Sequence, residues 1–192
     1  MSNGTLTKVT AKTAGEVCKN FQLGDEAKKL LKDTMTPRQF LDQLIDKQQF
    51  PDAIRFLAHA LPKQEAVWWA CLCARAAAGT APAPNITAAL QAAEKWVKDP
   101  SEDNRRAAMP AAEAAEFSTP AGCAAVAAFW SGGSMGPPNV PVIPPGPYLT
   151  AHGVAGAVMM AAVVTEPQKA PEKYKKFLAQ GIDVANGANR WK

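Results

Sequence analysis

The chain has 192 residues, 47% of them hydrophobic and 20% charged, and a formal net charge of +4 at pH 7. This composition excludes a disordered chain, which would be more polar and more highly charged. Nucleic-acid binding is not expected either, because the positive charge forms no concentrated stripe with interleaved aromatic rings. We expect residues 1–192 to form one domain, with residues 1–12 as a flexible N-terminal segment.

The residue types favour helices. Alanine, the best helix former, supplies much of the apolar fraction, whereas β-branched and aromatic residues are scarce. The sequence therefore predicts an all-α fold. Its first residues, MSNGTLTKVTAK, contain no apolar run of the kind found in secretory signal peptides, so we expect a cytoplasmic protein.

Helix start signals recur along the first part of the chain. Thr36, Pro37 and Gln39 combine an N-cap, a proline at the first helical position and a capping-box partner. Pro51 and Pro62 open the next two helices in a similar way, so three short helices must fold back sharply on one another. We also expect one or two short helices ahead of these.

Two adjacent tryptophans mark the third of these helices. Trp68 and Trp69 project about 100° apart around a helix axis, so both can be buried only if the helix is contacted over a wide arc. This pattern is typical of a central helix with large aromatic side chains. An exposed tryptophan at either position would instead be a partner-binding hot spot.

Two further helices are predicted before the middle of the chain. Asn85 is placed to cap the first. Ser101, followed by two acidic residues, is placed to cap the second, because acidic side chains are favoured in a first turn. Pro110 lies within that second helix and should kink or break it, since proline removes a backbone donor and clashes with the preceding turn.

Three more helices complete the predicted fold. Thr119-Pro120 opens the first, Thr150 is placed to cap the second, and Ala170-Pro171 opens the third. The total is eight to ten helices joined mostly by short connections. We predict a compact multi-helix bundle of antiparallel helical hairpins rather than a repeat array, because no fixed period is visible.

No charged side chain occurs between residues 117 and 165. The two apolar helices predicted there have about 11 and 15 residues, whereas about 20 are needed to cross a bilayer. Their small residues allow close approach, so we expect both helices at the centre of the bundle. A partner-binding surface and a membrane-associating hairpin at 119–165 are the alternatives.

A strip at residues 131–148 separates these two helices and contains six prolines and four glycines. This composition predicts a long loop, and the proline spacing partly favours polyproline II conformation. One interpretation is a recognition segment presented to an aromatic groove of a partner, or a lid. The other is a strap that lies flat across the bundle through its apolar residues, Val140, Val142, Ile143 and Tyr148.

No pattern of reactive side chains specifies an enzyme. Neither His59 nor His152 has the serine, cysteine and acidic neighbours that nucleophilic catalysis requires, and no phosphate-binding or metalloprotease motif occurs. The four cysteines lack metal-ligand spacing, so we expect buried thiols and no metal or cofactor. The alternative is a ligand-binding or enzymatic helical domain with a pocket near His59, His152 and the cysteines.

Two stretches of the sequence, LPKQEAVWWACLCAR and AFWSGGSMGPPNVPVIPPGPYLTAHGVAGAVMMAA, resemble a family of uncharacterised bacterial proteins of about this size, a domain of unknown function. The resemblance covers most of the chain from Pro37 onward. It implies a helical accessory, adaptor or chaperone-like role associated with type VI secretion genes. It transfers no catalytic residue.

These features together favour a non-enzymatic module that binds another protein, such as a secretion-system component or an effector. We expect its contacts to come from tryptophans and from the apolar residues of the strip: Trp68, Trp69, Trp130, Met135, Val140, Val142, Ile143 and Tyr148.

Overall fold

The computed structural model describes residues 5–188 and Trp191 of the chain. Within this part the chain forms ten α-helices and no strand, which confirms the predicted all-α bundle. The helices are α1 (Ala14–Cys18), α2 (Asp25–Leu30), α3 (Pro37–Asp46), α4 (Phe50–Ala60), α5 (Lys63–Ala78), α6 (Pro84–Lys98), α7 (Glu102–Ala115), α8 (Pro120–Phe129), α9 (Leu149–Val163) and α10 (Ala170–Ala185), and a 3-10 helix (Pro167–Lys169) precedes α10.

The two apolar helices lie at the centre of the bundle, as expected. α8 is contacted by α5, α6, α7 and α9, and α9 is contacted by α4, α5, α8 and α10. Gly153 of α9 lies so near α8 that an added Cβ would be 2.9 Å from the Cβ of Ala127. The small residues of the uncharged stretch therefore allow these helices to approach closely, and most residues of both helices are buried.

Several predicted helix starts are confirmed in atomic detail. The Thr36 hydroxyl accepts a hydrogen bond from Gln39 N–H at 3.3 Å, and the Gln39 side chain accepts one from Thr36 N–H at 3.0 Å. Thr119 caps α8 by accepting from Gly122 N–H at 3.0 Å. These bonds satisfy backbone donors that the first helical turn leaves unpaired.

Two predicted N-caps are wrong by one or two residues. α6 begins at Pro84, which is suited to a first helical position, so Asn85 lies inside the first turn and donates to Ala114 O at 3.0 Å. α9 begins at Leu149, because the turn that ends the preceding strip already leads into the helix. Thr150 therefore lies inside α9, with its hydroxyl buried and without a hydrogen-bond partner.

Pro110 does not break α7, which continues from Glu102 to Ala115. The alanines on either side of the proline, Ala108 and Ala112, are fully buried, and α7 packs against α6 and α8. This packing outweighs the loss of one backbone hydrogen bond, so the prediction of a helix break is wrong.

The first described residues are held against the end of α10. Leu6 is buried, the Lys8 N–H donates to Ala185 O at 2.8 Å, and the Lys8 ammonium lies 3.4 Å from the Glu65 carboxylate. Leu6 and Lys8 of the N-terminal segment therefore contact the bundle, through an apolar side chain, a backbone donor and an ion pair. The remainder of the N-terminal segment considered above, residues 1–4, lies outside the described residues.

Candidate functional site

Twelve consecutive residues between α8 and α9, 137–148, lie on the surface, and we call them the exposed segment. All of them are exposed except Pro145, which is partly buried. The exposed fractions of its large apolar side chains are 74% for Val142, 51% for Ile143, 42% for Val140 and 40% for Tyr148. Val142 and Ile143 are more than half exposed, so they do not lie flat against the bundle as a strap would, whereas Val140 and Tyr148 are more than half covered.

Ser134 closes the base of the exposed segment. Its side-chain oxygen accepts hydrogen bonds from Gly136 N–H at 3.2 Å and from Ile143 N–H at 3.1 Å. The Met135 N–H donates to Ile143 O at 2.8 Å, and Ser134 itself is buried. These bonds join both sides of a tight loop, so the backbone of the segment is held in place although its side chains face solvent.

Arg105 of α7 ties this base to the helical bundle. Its buried guanidinium donates to Phe129 O at 2.5 Å and to Ser134 O at 2.9 Å. The guanidinium also lies 4.7 Å from the centre of the Phe129 ring and 2.6 Å from the Glu102 carboxylate. A buried charge is tolerated when it is paired and hydrogen-bonded, and these contacts meet that condition.

Glu102 joins two neighbouring arginines beneath the segment. Its carboxylate accepts hydrogen bonds from Arg105 and, at 2.7 Å, from Arg106, which in turn donates to Gly136 O at 3.0 Å. The hydrogen bond from Arg105 is the main cause that lowers the pKa of Glu102 to about 2. The carboxylate is therefore ionised, and both arginines are paired, throughout the physiological pH range.

Gly133 allows the chain to pass directly over this ionic cluster. Its φ of +61° lies in the left-handed region that side chains with a Cβ rarely adopt. An added Cβ would also lie 2.8 Å from Arg105 Nη2 and 2.8 Å from Glu102 Oε2. Both the backbone conformation and the available space at this position require glycine.

The other end of the exposed segment meets two histidines. The ring of Tyr148 lies 5.9 Å from that of His59, and His152 meets His59 edge to face at 5.1 Å, all between ring centroids. Phe21 stacks on His59 at 4.7 Å. The four rings form one aromatic cluster, drawn from α4, from α9 and from the connections that precede α2 and α9.

His59 carries a buried ring nitrogen that no described residue pairs with. Its Nδ1 lies 2.7 Å from Arg55 O, and because a carbonyl oxygen only accepts, Nδ1 carries the proton. Nε2 is then a buried acceptor without a donor. Burial is the main cause that lowers the pKa of His59 from 6.5, the bond to Arg55 acts in the opposite direction, and His152 lowers it further.

The proposed pocket near the histidines is only partly assembled. His59 and His152 do come together, but Cys71 and Cys73 are buried in α5, where burial raises the pKa of both thiols and keeps them protonated. Among the described residues, no three histidine, cysteine or acidic side chains are placed to hold a metal ion. A cleft of about 1170 Å³ lies between α3 and the N-terminal residues, and neither histidine lines it.

The three tryptophans predicted as contacts differ in their positions. Trp69 is fully buried and its indole N–H donates to Phe177 O at 2.8 Å, so it belongs to the core and cannot contact a partner in this fold. Trp68 is partly buried and meets Trp191 edge to face at 6.4 Å. Trp130, also partly buried, follows the last residue of α8.

The residues that anchor the exposed segment were not predicted from the sequence. Arg105 and Arg106 are adjacent arginines in an alanine-rich helix. Arginine side chains in such a helix need carboxylate or carbonyl partners, and this need was the signal in the sequence that could have identified them. The stretch Ser-Gly-Gly-Ser looked only like turn material. The two donors to the Ser134 side chain, the N–H groups of Gly136 and Ile143, are two and nine residues away, but the contact from Arg105 to Ser134 O joins residues 29 positions apart.

No single helix among the described residues has both the length and the apolar composition of a membrane span. α9 and residues 167–185 pass the length and composition test only as a pair, and this pair is bent by 114°. The predicted hairpin of α8 and α9 is instead buried by neighbouring helices.

One family model matches the chain, a family of unknown function (DUF6931), and the match covers residues 40–185. The matched region runs from the first turns of α3 to the end of α10, so it includes Arg105, Ser134 and the exposed segment. No curated protein and no solved structure shows a significant match.

Proposed function

We propose that this chain, which belongs to the DUF6931 family, a family of unknown function, is a non-enzymatic helical adaptor that binds another protein through the exposed segment. The cytoplasmic location and a partner from a type VI secretion system, both expected from the sequence, are parts of this proposal.

The observation that carries the proposal is an apolar surface on a fixed base. Residues 137–148 contain no charged side chain, yet their valine, isoleucine and tyrosine side chains are 40% to 74% exposed. Contiguous exposed apolar surface in a soluble protein is typical of an interaction site. Because Ser134 and Arg105 already hold the backbone of the segment, ordering that backbone on binding would cost little free energy.

Contacts outside the segment are fewer than the sequence suggested. Trp69 is excluded by burial, whereas Met135 is 37% exposed at the base of the segment and extends its apolar surface. An enzymatic function is favoured less: the ring contacts of His59 and His152 are with each other, Phe21 and Tyr148, and no three histidine, cysteine or acidic side chains among the described residues are placed to hold a metal ion. The buried α8 and α9 likewise give no support to a membrane-associating hairpin.

The proposal is tested by replacing residues 137–148 with a Gly/Ser linker of equal length in the full chain. Tagged wild-type and variant proteins are purified from the native host, and co-purifying proteins are quantified by mass spectrometry, with size-exclusion mass determination alongside. We expect a stoichiometric partner that the linker variant loses. A double variant, Phe117→Ser with Val164→Ser, removes exposed apolar residues elsewhere and should keep the partner. Equal recovery with the linker variant would contradict the proposal.

A further inference from the structure

The prolines of the exposed segment follow a three-residue register. Four of the six occur at every third position: Pro138, Pro141, Pro144 and Pro147. A polyproline II helix has three residues per turn, so side chains spaced by three residues share one edge. Prolines in this register would form a single ridge if the backbone adopted that helix.

The backbone supports the ridge at Pro141 and Pro144. Pro138 and Pro147 lie in turns, which are closed by the Val140 N–H directed at Pro137 O at 3.4 Å and by the Leu149 N–H donating to Gly146 O at 3.1 Å, so both prolines lie outside the ridge. Residues 141–146 are neither helix nor turn. A proline ring holds φ near −65°, and a residue before proline is restricted to extended or polyproline II conformations. At least one of these two restrictions applies to every residue from 140 to 147 except Val142.

The same composition argues against pairing with a partner as a β-strand. A strand added to a sheet edge needs backbone donors at alternate residues, and the six prolines of the segment have none. The Ile143 N–H and C=O are already bonded to Ser134 and Met135. A neighbouring strand would therefore find too few donors, whereas several carbonyl oxygens of the segment have no partner within the described residues.

We infer that the partner binds Pro141 and Pro144 as a polyproline II ridge in a groove lined by aromatic side chains. This inference rests on the proposed function. Aromatic rings pack against proline rings, and their indole N–H or phenol O–H groups can donate to the carbonyl oxygens of the ridge. The partner groove needs no charged residue for this contact, because the segment offers none.

Photo-crosslinking in the native host tests the inference with the full chain. Val142, whose side chain is 74% exposed, is replaced by p-benzoylphenylalanine. Crosslinked protein is then recovered through a tag and quantified. In this background, Pro141→Ala with Pro144→Ala removes the ridge, and Pro137→Ala with Pro138→Ala is the matched control in the turn. We expect the ridge variant to lower the crosslink yield about tenfold and the control to change it less than about twofold.

A second pair, Pro141→Val with Pro144→Val, keeps apolar side chains and restores two backbone donors. The inferred ridge predicts a loss of crosslinking here too, whereas strand pairing predicts a gain. Equal yields in ridge and turn variants, or a gain with valine, would overturn the inference and leave the proposed function standing. Absence of any crosslinked protein from position 142 would overturn both. Thermal melting of each variant checks that the bundle, which none of these side chains helps to fill, is intact.

Discussion

His59 and His152 meet edge to face with their ring centroids 5.1 Å apart, at the point where the exposed segment enters α9. Nε2 of His59 is buried, and a proton added there would find no acceptor among the described residues. Burial therefore lowers the pKa of His59 from 6.5, and the folded state favours the neutral ring.

This lowered pKa makes stability dependent on pH. Below pH 6.5 the unfolded chain binds a proton at His59 that the folded chain does not, so the free energy of unfolding should fall as the pH drops from 6.5 through the lower pKa of the folded state. Urea denaturation between pH 5 and 8 measures the effect. His59→Asn removes the titrating group and should flatten the dependence, and an unchanged slope in this variant would contradict the assignment.

Arg105→Met should loosen the base of the exposed segment. The substitution leaves Phe129 O and Ser134 O without their donor, and we expect a loss of about 1–3 kcal/mol in the free energy of unfolding. Hydrogen exchange at the Met135 and Ile143 amides should also become faster. Arg75→Met is the matched control, because Arg75 forms only an exposed ion pair with Glu94 and its loss should change stability by at most about 1 kcal/mol. Equal effects of both substitutions would show that Arg105 is not an anchor.

Adjacent glycines offer a sharper comparison at the same base. Gly133→Ala forces alanine into a left-handed conformation and places its Cβ against Arg105 and Glu102, so we expect at least about 1–2 kcal/mol of destabilisation. Gly132 has no atom within 4 Å of an added Cβ and no positive φ. Gly132→Ala should therefore stay within about 0.5 kcal/mol of wild type. Thermal melting compares the two variants, and similar melting temperatures for both would contradict the tight fit at Gly133.

Two glycines in central helices should respond to alanine in opposite directions. A Cβ at Gly181 of α10 would lie 2.6 Å from Leu57 and 2.7 Å from Trp69, and overpacking of this kind destabilises by about 1–3 kcal/mol. At Gly156 of α9 the nearest atom is Cys123 Sγ at 3.6 Å, an ordinary contact. There the higher helix propensity of alanine should add up to about 1 kcal/mol of stability. Chemical denaturation that found both variants stabilised would contradict the close packing of Trp69 against α10.

Local signals predicted much of the fold and little of the site. The capping pattern around Thr36 and the proline after Thr119 specify helix starts through bonds within one turn, so sequence alone sufficed there. Whether Pro110 ends a helix depends on packing from α6 and α8, which no local pattern contains. Likewise, burial of Trp69 but not Trp68 depends on where α10 crosses α5, since both residues lie on the same helix.

The composition of the exposed segment was visible in the sequence, but its orientation was not. Val140, Val142 and Ile143 are as apolar as core residues, so hydrophobicity alone cannot show which way they face. The direction is decided by Ser134 and Arg105, which hold the backbone at the base and leave the side chains outside. The two Arg105 contacts join residues 24 and 29 positions apart along the chain, and the contact between Ser134 and Ile143 joins residues nine positions apart.

Because the exposed segment lies outside the bundle, the packing of the core does not depend on an unbroken chain at this point. α8 and α9 pack along their own lengths, while the residues that connect them at 137–142 lie outside the bundle. A reporter domain inserted there, or a break in the polypeptide, would leave every central helix with its neighbours. We therefore expect a chain divided at this point to reassemble from its two fragments.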